Sequence, residues 1–150
     1  MTSAQLVAMQ AADVSALTSD QLNTLYTNQL RILETADIAG LSSDQVRGLA
    51  EGQVSSLTPS QVSAIENVDL AAMRTAQIEA LLTQQVAALT TGQIAALRTD
   101  QVLALETADF AAMSAASVAA LRTDQVVALD ALDVRAFTID RKSTRLNSSH

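Results

Sequence analysis

Large aliphatic residues recur along this chain every eight positions. One column runs from Leu6, Val14 and Leu22 through Val62, Ile94 and Val102 to Phe110, Val126 and Val134. A second follows three residues behind it, from Met9, Leu17 and Leu25 through Leu97 and Leu105 to Met113 and Phe137. Seventeen octads fit with no insertion and no miss. The slot before the second aliphatic is Ala, Gly or Ser, except at Thr24 and Ile32. The slot before the first is Gln in eleven octads, Asp at Asp13, Asp37, Asp69, Asp109 and Asp133, and Ser at Ser117. Two positions earlier, Ser or Thr occupies eleven. The unit reads T-x-Q-V-x-A-L-x.

This period excludes the regular long elements. An uninterrupted α-helix advances about 100° per residue, so the apolar stripe drifts by about 80° per octad and circles the axis in about five. No single partner covers such a stripe, and the 3.5 and 3.67 periods of coiled coils do not match. In a strand, residues three apart face opposite sides, and Ala and Gln are weak strand formers. One very short helix per octad fits. In Thr99–Leu105, Thr99 is the expected N-cap and Asp100 lies in the first turn, where the dipole favours an acid. Val102 and Leu105 share a face. Ala104 leaves room for a neighbouring backbone, and residues 106–107 turn the chain into the next cap. At Pro59 the expected cap shifts locally by one, to Thr58, with Pro59 as the first helical residue.

Gln, Asp and Ser share a side-chain oxygen that accepts hydrogen bonds. A column of them near helix starts satisfies backbone N–H groups that lack an intrahelical partner. The competing reading is a ligand-binding glutamine ladder. Two large aliphatics per octad are too few to hold eight residues alone, so the octads must stack as a solenoid. Arg74, Arg98 and Arg122 stand 24 residues apart, as do Thr18, Ser42, Glu66, Thr90, Ser114 and Thr138. Three octads per superhelical turn aligns both series. Gly40, Gly48, Gly52, Pro59 and Asn67 make 40–67 the segment expected to be least regular.

The register stops at residue 139. Residues 140–150 read DRKSTRLNSSH, a string that resembles the translation of a widely used short-read sequencing adapter. The resemblance implies a non-native, disordered tail at 140–150 beyond an octapeptide-repeat α-solenoid at 1–139, itself a piece of a longer array. The chain carries a net charge of −7 and no Cys. Its only Lys, Lys142, and its only His, His150, fall in the tail. Residues 1–139 therefore lack the usual general base, thiol nucleophile, Schiff-base amine and soft metal ligand. The acidic balance argues against nucleic acid. No apolar run approaches the ~20 residues of a membrane span, and no signal peptide is visible in residues 1–20.

The remaining candidates are few. Asp13 with Asp37, or Asp109 with Asp133, could form a glycosidase-like carboxylate pair across adjacent turns. Asp130 and Asp133 make a weak calcium site at best. Arg74, Arg98 and Arg122 form either a basic stripe or ion pairs with Glu79, Asp100, Glu106 or Asp124. Met9, Met73 and Met113 fill leucine slots and read as core. No catalytic, cofactor-binding or metal residue is assigned, and no cofactor is expected.

Units such as LTTGQIAALRTDQVLALETADF, residues 89–110, resemble the tandem octapeptide arrays of very large bacterial proteins, many of them secreted or surface-exposed. That resemblance implies an all-α solenoid serving as a spacer, stalk or adhesive scaffold of a larger protein. It implies no enzyme, a monomeric segment, and a protein or cell-surface partner at most. The alternative is an intracellular solenoid that binds a protein or peptide.

Overall fold

The computed structural model describes residues 3–8 and 11–129. The boundary expected at 139, the last octad and the 140–150 tail lie outside the described residues. Those described form fifteen helices of five or six residues, from Ser3–Ala8 to Ala115–Ala119. A further helical stretch follows at 123–129, and there is no strand among the described residues. The fold is the all-α solenoid that the octad period demands, one short helix per repeat.

The cap lies one residue earlier than expected. Arg98 is the N-cap of Thr99–Leu103, extended at φ −72° and ψ 159°, so Thr99 is the first helical residue. Thr58 before Pro59 is thus the general rule, not a local shift. The Gln slot sets this frame. Standing third in the helix, its side chain reaches back to the N–H of the cap. The spacing repeats wherever Gln follows the cap by three.

Each octad then closes with two backbone bonds. The first aliphatic donates its N–H to the cap carbonyl, as Val54 does to Ala50 O at 3.0 Å. The second donates to the first, as Leu57 does to Val54 O at 3.2 Å. The exit residue stays right-handed at Ala104 (φ −77°, ψ −15°) or extended at Leu57 (φ −61°, ψ 143°). No described residue has a positive φ. The left-handed glycine that ends many helices is unnecessary here, so the repeat needs no Gly.

The helices coil so that each packs on the one three places along. Thr27–Arg31 meets Glu51–Ser56, Thr35–Ala39 meets Pro59–Ala64, and Ser43–Arg47 meets Asn67–Ala72. Both aliphatic columns point inward and form one continuous core. From Val14 to Val102 the first column is no more than 1% exposed. In the small slot before the second aliphatic, Gly48 marks a close approach between turns. A Cβ on Gly48 would lie 2.7 Å from Ser19 Cβ. Residues 40–67 keep the same caps and the same buried columns as their neighbours, so the expected irregularity is absent.

Candidate functional site: the glutamine column

The third residue of each helix is polar, and from Gln29 to Gln125 it is buried. Gln45, Gln53, Gln61, Gln77, Gln85, Gln93, Gln101 and Gln125 are at most 5% exposed. Gln77 shows what the column does. Its Oε1 accepts the N–H of the cap Arg74 at 2.8 Å. Its Nε2 donates to Val46 O at 2.9 Å and to Leu49 O at 2.8 Å. Those carbonyls belong to the two aliphatics of the octad four places earlier. Val46 O also accepts the closing-turn N–H of Leu49 at 3.2 Å, and Leu49 O also accepts the Arg74 guanidinium at 3.1 Å.

The same three bonds recur. Gln53 reaches Leu22 O and Leu25 O, each at 3.0 Å. Gln61 reaches Leu30 O and Leu33 O, each at 2.8 Å. Gln85, Gln93, Gln101 and Gln125 repeat the pattern. One side chain therefore caps its own helix start and ties it to the helix end on the preceding turn. Helices pack three octads apart while these bonds span four. A turn closes between the two, which refines the three octads expected.

Capping was legible in the sequence, but the donor half of the tie was not. The oxygen shared by Gln, Asp and Ser explains only the bond to the cap. The signal lay in the preference for Gln over its isostere Glu. Glu would accept from the cap equally well, yet it never occupies the slot. A carboxylate has no N–H to give the two carbonyls.

The Asp octads show the consequence. Asp37 and Asp109 are buried and accept the N–H of Glu34 and Glu106, both at 2.9 Å. Asp69 instead accepts from Ser43 Oγ, 26 residues earlier, at 2.6 Å. None of them can donate to the carbonyls a glutamine would reach. Ser117 pairs locally with Ser114. Asp37 and Asp109 are thus capping residues, Asp13 is exposed, and Asp130 and Asp133 lie outside the described residues. Among the described residues no group of three or more His, Cys, Asp or Glu could hold a metal ion.

The arginine column reinforces the ties. Arg74, Arg98 and Arg122 occupy the N-cap slot. Their guanidinium groups donate to Leu49 O, Met73 O and Leu97 O at 3.0–3.1 Å. Each of these carbonyls also accepts a glutamine Nε2. Ion pairs accompany them, Arg98 with Asp100 and Arg122 with Asp124 as expected, and Arg74 with Glu51 rather than Glu79. All are about half exposed, where such pairs contribute little. The 24-residue series that includes Thr18, Ser42, Thr90 and Ser114 also falls on the caps, where these four hydroxyls accept the N–H of the third helical residue. Met73 and Met113 are core residues, and Met9 lies outside the described residues.

No buried side-chain nitrogen or oxygen among the described residues is left without a partner. No helix among them is long and apolar enough to cross a membrane. No curated protein and no solved structure matches the chain. A repeat family does. Its signature covers residues 25–59, 62–99 and 102–138 in tandem. Ala88–Gln93, in the sequence ALTTGQ, carries this signature across the junction where one octad ends and the next is capped. The chain belongs to the ALTTAQ repeat family.

Proposed function

We propose that the chain is a non-enzymatic structural segment, a spacer, stalk or adhesive scaffold within a larger bacterial protein. One observation carries this reading. The buried Gln column, and the three arginines that join it at the caps, are spent on tying one turn to the next. Such a design extends by adding octads and reserves no residue for a substrate. Residues 1–139, without His, Cys or Lys, lack the usual imidazole base, thiol nucleophile and Schiff-base amine.

The test is exposure on intact cells that make the full-length protein. Added protease should clip the array before lysis. Cleavage only after lysis contradicts a surface stalk and favours the intracellular binding solenoid. A full-length gene that carries a secretion or translocator module agrees with the proposal, and a fused signalling domain speaks against it.

A further inference from the structure

The slot just after the cap is a repeated polar position that the fold leaves unused. It holds threonine in five consecutive octads, at Thr75, Thr83, Thr91, Thr99 and Thr107. All five are exposed. Described turns flank Thr75, Thr83, Thr91 and Thr99 on both sides, so their exposure owes nothing to where the described residues end. Among the described residues none of the five hydroxyls takes part in a hydrogen bond. Other hydroxyls of the coil do. Thr58 and Thr90 cap their helices, and Ser43, in the same slot as Thr75, donates to Asp69 on the next turn. A threonine that stands first in a helix caps nothing, and its branched side chain slightly lowers helix propensity. Folding alone does not account for its return in octad after octad.

The setting of these threonines is uniform. Each follows an extended cap, from φ −72° and ψ 153° at Arg74 to φ −86° and ψ 160° at Glu106. Helices pack three places apart, so Thr75 stacks with Thr99 and Thr83 with Thr107, while Thr91 stands in a third column. Hydroxyls spread over three columns make no single plane for a flat ligand. They do present one acceptor per octad, in the same backbone each time, to an enzyme that works site by site.

We propose that these threonines are acceptors for O-linked glycosylation, by a transferase that uses a nucleoside diphosphate sugar. The threonine Oγ1 attacks the anomeric carbon of the sugar. The new C–O bond replaces the bond to the diphosphate, the nucleoside diphosphate leaves with the electron pair, and the hydroxyl proton passes to a base of the transferase. Charge favours a neutral sugar over a phosphate. Thr99 precedes Asp100, Thr107 follows Glu106, and the chain already stands at −7. A phosphate adds about −1.5 to −2 at each site. The arginines beside Thr75 and Thr99 already donate to carbonyls of the preceding turn. A sugar adds no charge and disturbs no bond of the fold. The proposal stands whether or not the array is a surface stalk.

Site-resolved mass spectrometry of the full-length protein, purified from the cells that make it, tests this. Trypsin cleaves after Arg74, Arg98 and Arg122 and releases peptides 75–98 and 99–122. The first should carry sugars at Thr75, Thr83 and Thr91, the second at Thr99 and Thr107. Thr90, beside Thr91 but engaged as a cap, should be bare. Thr83→Ala should remove one sugar from the first peptide and leave the circular dichroism unchanged, and Thr83→Ser should restore the sugar. Unmodified peptides overturn the proposal. So do sugars confined to Thr90 and the other caps, or phosphate in place of sugar.

Discussion

A buried amide works here because it is donor and acceptor at once. Gln77 is fully buried, and its oxygen and nitrogen both find backbone partners. At Asp109 the acceptor half survives and the donor half is lost. By the register, a glutamine there would reach the carbonyls of Ile78 and Leu81. Asp109→Gln should therefore stabilise the chain by about 1 kcal/mol, the net worth of a hydrogen bond gained. Urea denaturation checks the sign. A loss of stability would mean that the Asp octads carry a tie of their own kind. The sequence shows that the slot is polar and sits near a helix start. It does not show the two carbonyls, because they lie 28 and 31 residues away.

Each element is a helix too short to persist alone, since isolated helices below ~12–15 residues are marginal. It is held by a cap at one end and a neighbour's amide at the other. Helix length and the inward face were legible in the sequence, because period and turn spacing fix them. The cap frame was not. Thr99 is a good capping residue, yet it stands one place inside the helix, because the Gln three residues after Arg98 decides the frame. Glycine at this scale is a matter of space. Nothing lies within 4 Å of a Cβ built on Gly52, whereas one on Gly48 meets Ser19. Gly52→Ala should stabilise by about 0.5–1 kcal/mol through the unfolded chain. Gly48→Ala should destabilise, since the two turns must separate. Thermal melts of the two variants should shift in opposite directions. Leu97→Ala, at a residue 1% exposed, should cost about 2–5 kcal/mol as a core truncation.

At the scale of the molecule, coupling runs between turns as well as along the chain. The Arg and small polar series hinted at this from sequence, since both mark caps stacked at every third helix. They could not show that the hydrogen bonds reach to the fourth octad, because that offset follows from the coil's pitch. Stability in a solenoid grows with the number of repeats and their interfaces. The first interface of this kind that can form here joins octads three or four apart. A peptide of residues 1–33 ends before Gln45, the first glutamine whose amide is seen among the described residues to reach an earlier octad, and should show little helix by circular dichroism. A folded, cooperative melt from that peptide would place the main coupling between adjacent octads instead.

The account depends most on the glutamine amide as the tie between turns, and one comparison tests it directly. Gln77→Ala, Gln93→Ala and Gln101→Ala each remove a cap bond and an amide that donates to two carbonyls of an earlier turn. Gln21→Ala removes a cap bond alone, on an exposed side chain. Equilibrium unfolding in urea of the four single variants should show the first three losing about 1–3 kcal/mol each. Their losses should agree with one another, because each octad uses the residue in the same way. Gln21→Ala should lose clearly less. If all four unfold like the parent chain, the column does not hold the turns together, and it should be re-examined as a binding surface.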